Sequence, residues 1–296
     1  MAKWTARDIP DQSGRTAVVT GANSGVGLVT ARALARSGAR VILACRDVAK
    51  GTAAAASVNG DVEVRALDLA DLSSVRTFAA SVTEDVHLLI NNAGVMATPE
   101  RRTADGFELQ LGTNHLGHFA LTGLLLPRLR ERVVTVSSAM HWIGRINLDD
   151  LNWERRRYSR WPAYAQSKLA NLLFTFELTR RLSAADATLR ATSAHPGYAS
   201  TNLQSHTESV QDQVMALGNR LIAQSANMGA LPTLYAAVAD IPSGSFAGPG
   251  GVTGQHGYPK LVSSSRSARN PAVAKALWEK SAELTGVTFD LAAAGA

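Results

Sequence analysis

Thr20-Gly21-Ala22-Asn23-Ser24-Gly25-Val26-Gly27 follows a short β-branched run, Thr16–Thr20, and opens an Ala/Leu-rich stretch, Gly25–Ser37. Glycines at this spacing permit a tight turn and let a backbone come close to a pyrophosphate. A helix beginning there offers free N–H groups and a partial positive charge to the same anion. Placed after a first strand and before a helix, the pattern reads as a dinucleotide cradle made by Gly21, Asn23, Ser24, Gly25, Val26 and Gly27. The bland alternative is an ordinary strand-to-helix turn.

Working outward, the same rhythm repeats. Strands are expected at Arg40–Cys45, Val62–Leu67, Val86–Asn91, Arg132–Ser137 and Leu189–Ala194. Helices are expected at Val48–Val58, Leu72–Val82, from about Gly106 to Leu126, and from about Pro162 to Leu182. Strands alternating with helices at this spacing imply right-handed crossovers and a parallel sheet. The strands are almost wholly apolar, as expected when helices cover both faces. The fold expected is α/β, a Rossmann-type doubly wound parallel sheet of about seven strands. Gly244–Gly257, with six glycines, reads as a loop or a short irregular last strand. No repeat or linker divides the chain, so 1–296 reads as one dinucleotide-binding and catalytic domain. Two stretches interrupt it, at about 141–161 and 198–230, and long connections of this kind usually carry function or move.

The end of the second strand reads Leu43-Ala44-Cys45-Arg46-Asp47. A carboxylate there would accept hydrogen bonds from a ribose 2′-hydroxyl and repel a 2′-phosphate. Cys45 stands where the acid is expected, and Arg46 can pair with a phosphate and stack on adenine. The reading is NADP(H) in preference to NAD(H). Asp47 is either the N-cap of the next helix or, with a shift of one residue, the ribose acid. Leu67-Asp68-Leu69 ends the third strand, where Asp68 can reach an adenine amino group with Leu69 beside it. Asn91-Asn92-Ala93-Gly94 ends the fourth, where Asn92, Ala93 and Gly94 let backbone lie against a cofactor.

Tyr164-Ala-Gln-Ser-Lys168 places a phenol and an ammonium on one helix face. A phenol with a pKa near ~10 is a poor acid–base group at neutral pH. A nearby cation favours the phenolate and is expected to lower that value.

Composition bounds the rest. The 296 residues are 46% hydrophobic and 18% charged, enough for a sizeable core. The formal charge of +6 is read mainly as surface solvation, with some attraction to an anionic ligand. Arg155-Arg156-Arg157 belongs to no nucleic-acid-binding module, so no nucleic-acid partner is expected. The start lacks an apolar signal region, and no run approaches the ~18 residues a membrane span needs. The lone Cys45 excludes an intrachain disulfide and fits a cytoplasmic location. No cluster has metal-ligand spacing, and no metal is expected.

Taken in order, Thr-Gly-x-x-x-Gly-x-Gly, Asn-Asn-Ala-Gly, Asn114, Ser138, Tyr164-x-x-x-Lys168 and Pro196-Gly197 resemble the short-chain dehydrogenase/reductase family over roughly 14–240. Leu43–Asp47, Asn114-His115-Leu116-Gly117-His118-Phe119, Ser167–Asn171 and His195-Pro196-Gly197 resemble its retinol-dehydrogenase-like group, near the protochlorophyllide reductases. Ser138 and Tyr164 are twenty-six positions apart, about twice the gap usual in the family, so His141–Trp161 is read as an insertion at the rim of the site.

The resemblance implies that Tyr164 exchanges the proton with a carbonyl or alcohol oxygen. Lys168 would lower its pKa and bond the nicotinamide ribose. Ser138, with Ser137 as competitor, would hydrogen-bond the substrate oxygen, and Asn114 would hold a water that connects Lys168 to solvent. Pro196 and Gly197 would flank the nicotinamide, and Thr201 would contact its carboxamide or the phosphates. The activity implied is hydride transfer between nicotinamide and a carbonyl or alcohol of a hydrophobic small molecule. The alternatives are reduction of a C=C or imine bond, or a cofactor-binding protein without catalysis. A homodimer or homotetramer joined by the helices after strands four and five is a further implication. His115 and His118 read as packing residues, and Trp142, Trp153 and Trp161 either line the rim or anchor the loop.

Overall fold

The computed structural model describes residues 3–197, 225–251, 253–291 and 294. Adjacent apolar residues in each central strand divide between two cores, because side chains alternate across a strand. Val18, Ile42, Leu89 and Val133 enter one core, and Val19, Leu43, Ile90 and Val134 the other. That is why these strands read as unbroken apolar runs.

In chain order the elements are β1 Thr16–Thr20, α1 Gly25–Arg36, β2 Arg40–Cys45, α2 Val48–Ala55, β3 Val62–Ala66, α3 Leu72–Ser81 and β4 Val86–Asn91. Then come α4 Leu109–Leu111, α5 Gly117–Leu125, β5 Leu129–Val136, α6 Arg160–Ala184, β6 Arg190–Ala194, α7 Ala226–Val238, β7 Phe246–Pro249, β8 Pro259–Leu261 and α8 Pro271–Thr285. The sheet order is β3-β2-β1-β4-β5-β6-β7-β8. All neighbours are parallel except β7 and β8. The expected architecture holds. The sheet has eight strands rather than about seven, because β8 is three residues long, begins at proline and carries no apolar run. The order reverses between β1 and β4, and a crevice opens there at the strands' carboxyl ends, as in open α/β sheets generally.

The helix expected from Gly106 to Leu126 is broken. Glu108 caps the short α4 with its carboxylate, and a π-helical turn, Gly112–Leu116, joins it to α5. Glycines bracket this turn because neighbours press on it. A β-carbon on Gly112 would meet Thr103, and one on Gly117 would meet the Leu69 carbonyl, each at 2.4 Å. Such bulges often re-aim a functional side chain, and this one turns Asn114 inward.

The C-terminal helix α8 packs on α5 and α6 through an aromatic cluster. Trp278 stacks on Phe174 at 5.7 Å and meets Phe119 at 5.1 Å and Phe289 at 4.4 Å. Truncating Trp278 to Ala should cost ~3–5 kcal/mol of stability. A urea melt with an unmoved midpoint would show that α8 adds nothing to this core. No described helix is long and apolar enough to cross a membrane.

Candidate active site

The crevice encloses about 700 Å³ and is lined by Gly21, Asn23, Ser24, Gly25, Val26, Gly27, Arg46, Asp68, Leu69, Asn92, Ala93 and Gly94 among others. All twelve were expected from the sequence. Gly21 has φ +65°, a conformation that favours glycine. A β-carbon on Gly27 would lie 2.5 Å from both the Gly21 carbonyl and Asn92 Nδ2. The turn therefore packs flush on the Asn92-Ala93 segment. Ser24 makes no side-chain cap on α1, so the first turn of this twelve-residue helix offers its amides to the crevice. This geometry fits a pyrophosphate.

Thr20 joins the two loops. Its hydroxyl accepts from the amides of Asn92 and Ala93, both at 2.9 Å, and Asn92 Nδ2 donates to the Thr20 carbonyl at 2.8 Å. His118 Nε2 lies 2.9 Å from the same hydroxyl, and its Nδ1 lies 3.0 Å from the Asn114 carbonyl. The carbonyl can only accept, so Nδ1 carries the proton and Nε2 accepts from Thr20. Burial pushes the imidazole down to about 4 and keeps it neutral. Local sequence gives His118 only a packing role. Only the fold brings it to Thr20, 98 residues away.

At the adenosine end, Cys45 is buried beneath the turn, and the amides of Ala22 and Asn23 hydrogen-bond its sulfur. Burial pushes its thiol up to about 11. Asp47 is occupied as the N-cap of α2, accepting from the Lys50 amide at 3.0 Å and pairing with Lys50 Nζ at 3.0 Å. Asp68 Oδ1 accepts from the Ala70 amide at 2.9 Å. Arg46 lines the crevice and has no ion pair or hydrogen bond with a described residue. The cluster could therefore hold a phosphorylated ribose through Arg46.

At the other end, α6 brings Tyr164 and Lys168 to the carboxyl edge of β5. Lys168 Nζ donates to the Val136 carbonyl at 3.2 Å and sits 5.8 Å from the Tyr164 ring centre. A β-carbon on Gly94 would come within 3.4 Å of Nζ, so the ammonium borders the crevice. The Ser137 hydroxyl donates to the Lys168 carbonyl at 2.7 Å, while the Ser138 hydroxyl accepts from the Met140 amide at 3.2 Å and lies beside the Tyr164 phenol. The two serines thus separate, one toward the helix backbone and one toward the phenol. Asn114 is held by three bonds, its Oδ1 accepting from the Val95 amide and its Nδ2 donating to the Val95 carbonyl and Ser167 Oγ.

The electrostatics differ from expectation. Burial pushes Tyr164 up to about 12, and only the Ser138 hydrogen bond draws it back. Burial also pushes Lys168 down to about 8. Both groups lie inside the wall, where losing water penalises each charged form more than the ammonium helps the phenolate.

Gly197 follows β6 with φ +67°, and its amide donates to His195 Nδ1 at 3.3 Å. Pro196 precedes it at the same edge of the sheet. Thr201 lies outside the described residues, as does most of the expected 198–230 insertion.

The 141–161 insertion is tied down. Gln166 Nε2, two residues beyond Tyr164, donates to the Leu151 carbonyl at 2.8 Å, and Arg156 donates to Gln166 Oε1 at 2.8 Å. Trp153 is buried with Arg156 3.6 Å above its ring and acts as a loop anchor. Trp142 and Trp161 are exposed, and Trp161 meets the Tyr164 ring edge-on at 6.5 Å. A second phenol near this insertion, Tyr158, donates to the Thr98 carbonyl at 3.0 Å and accepts from Gln110 at 2.8 Å. Among the described residues no cluster could hold a metal ion.

The short chain dehydrogenase family model matches residues 15–212, from the start of β1 past Tyr164 and Lys168. Human retinol dehydrogenase 13 is 43% identical over 93% of this chain and 85% of its own length. Human retinol dehydrogenase 12 is 44% identical over 94% of this chain and 88% of its own. A crystal structure of an uncharacterised Mycobacterium paratuberculosis protein is 57% identical and superposes with a TM-score of 0.86, covering 97% of this chain and 99% of that one. A protein described as an NAD(P)-dependent gluconate 5-dehydrogenase of Beutenbergia cavernae, with NADP bound at low occupancy, is 26% identical with a TM-score of 0.56. It covers 76% of this chain and 90% of its own. The crevice at the strand reversal and the Tyr164–Lys168 pair both fall within the residues matched by the family model: the chain belongs to the short chain dehydrogenase family, among its retinol-dehydrogenase-like oxidoreductases.

Proposed function

We propose that this chain is an NADP(H)-dependent carbonyl reductase and alcohol dehydrogenase acting on an apolar small molecule, with Tyr164 as the proton donor. The observation that carries the proposal is the Ser138–Tyr164–Lys168 cluster bordering a crevice whose other end presents an uncommitted Arg46. The nicotinamide cofactor would supply or accept the hydride. The turn 21–27, Arg46, Asp68, Leu69 and Asn92–Gly94 would hold it, with Lys168, Pro196, Gly197 and Thr201 at the nicotinamide end.

Tyr164, held as a neutral phenol by burial, donates its proton to the carbonyl oxygen in the reductive direction. Ser138 hydrogen-bonds that oxygen and steadies the charge developing on it. Asn114 fixes Val95 and α6, and supports the Lys168 side of the site. The NADP-bound neighbour supports the cofactor, and Arg46 supports its 2′-phosphate. Exposed Trp142, Ile143 and Trp161 support an apolar substrate. The retinol and polyprenol dehydrogenases it resembles are named for long apolar alcohols. We expect the chain to work in the cytoplasm without an inserted span. α8 packs against both α5 and α6, so a dimer built on that helix pair would have to accommodate α8.

Replacing Arg46 with Ala tests the cofactor. Loss of a charge-assisted phosphate contact of ~1.5–3 kcal/mol should raise the NADPH dissociation constant ~10- to 100-fold and weaken NADH binding far less. Equal loss for both nucleotides in a fluorescence titration would remove the 2′-phosphate assignment.

A further inference from the structure

We propose that His141 is a positioning residue for Ser138, a strut that joins the end of β5 to the C-terminal segment after β8. The proposal rests on the reading of Ser138 as the group that meets the substrate oxygen. Ser138 begins a short 3-10 turn, Ala139–Trp142, with extended backbone at φ −151° and ψ 157°. Its carbonyl receives two hydrogen bonds from His141, from the backbone amide at 3.1 Å and from Nδ1 at 2.7 Å. The opposite ring nitrogen, Nε2, accepts from the Ser265 amide at 3.2 Å.

These partners fix the ring completely. A carbonyl can only accept and an amide N–H can only donate, so Nδ1 carries the proton and Nε2 is bare. The opposite tautomer would break both side-chain bonds at once. The ring is 1% exposed and is packed by Phe246, edge-on at 5.5 Å, and by Trp142 at 5.3 Å. The foot of the strut is also held. Ser265 is buried and its hydroxyl caps the next turn at the Ala268 amide, while Arg269 donates to the Ser264 carbonyl at 2.9 Å. Ser137, on the other side, is fastened through its amide to the Ala194 carbonyl at 2.7 Å and through its hydroxyl to α6. Without His141 the carbonyl side of Ser138 would depend on one backbone bond within a four-residue turn. A shift of about 1 Å at a reacting group can cost ~10²-fold in rate.

The test uses the full chain, NADPH, and whichever of all-trans-retinal, nonanal or benzaldehyde the wild type reduces fastest. His141→Phe keeps the ring volume and removes both bonds. It should lower kcat ~10- to 100-fold with NADPH affinity unchanged. His141→Asn places a donor near the Nδ1 position and should recover most of kcat. In the Ser138→Ala background, His141→Phe should cause no further loss. A full additional loss there would mean that His141 acts on something other than Ser138 and would overturn the proposal. Near-normal kcat in His141→Phe, with Ser138→Ala impaired, would overturn the proposal alone. A fully active Ser138→Ala would overturn the reading of Ser138 and the proposal with it. Imidazole ¹⁵N shifts of the wild type give a check independent of folding in any variant. Protonated Nδ1 and bare Nε2 are expected at His141, and the reverse assignment contradicts the strut.

Discussion

Tyr164→Phe should lower kcat for carbonyl reduction by ~10²-fold or more while NADPH binding stays near the wild-type value. The substitution removes one oxygen and leaves the packing. The ring sits in the buried face of α6 with Trp161 against its edge, and neither contact needs the hydroxyl. Ser138 Oγ would keep its bond from the Met140 amide at 3.2 Å and lose only the phenol. The loss should therefore fall on kcat rather than on stability, as expected for a group that acts in the transition state. A phenylalanine variant with normal turnover would mean that the proton comes from elsewhere.

Lys168→Met should produce a loss of similar size, ~10²-fold, from the removal of one preorganised charged donor. Methionine approximates the volume of the buried lysine stem, so α6 should keep its place. What disappears is the bond to the Val136 carbonyl and the positive charge beside Gly94. The wild type supplies a second readout. With Lys168 pushed down to about 8, the amine is charged below that pH and neutral above it. Reduction should therefore decline as pH rises through about 8 in the wild type, and the methionine variant should lack that limb. An unchanged alkaline limb in Lys168→Met would assign the titration to another group. Tyr164, at about 12, stays protonated across this range and does not supply it.

The alternation of strands and helices was legible because each strand is buried on two faces and so written in apolar residues alone. The Tyr164–Lys168 pair was legible because four residues make about one helical turn. Asp47 was legible only as one of two alternatives, and its bond from the Lys50 amide makes it the cap of α2. The rest depends on contacts distant in sequence. The π turn at Gly112–Leu116 follows from Thr103 and Leu69 pressing on its glycines, and nothing in the local propensity marks it. β8 exists through its pairing with β7 and not through its own three residues. Preference for Ser138 over Ser137 comes from the family resemblance, and the different engagements of the two hydroxyls at the end of β5 are visible only in the fold. The upward shift of Tyr164 was not legible, because sequence spacing shows the ammonium but not the burial that outweighs it.

In the proposed reaction, hydride passes between a nicotinamide at the Tyr164 end of this crevice and a carbonyl carbon. Its most direct test is label transfer from NADPH deuterated at C4 to a panel of apolar aldehydes, read by mass spectrometry of the alcohols. Deuterium is expected on the carbinol carbon from one face of the nicotinamide only, and its transfer is expected to be lost in Tyr164→Phe. Protein that binds NADPH yet returns every aldehyde unlabelled would contradict it.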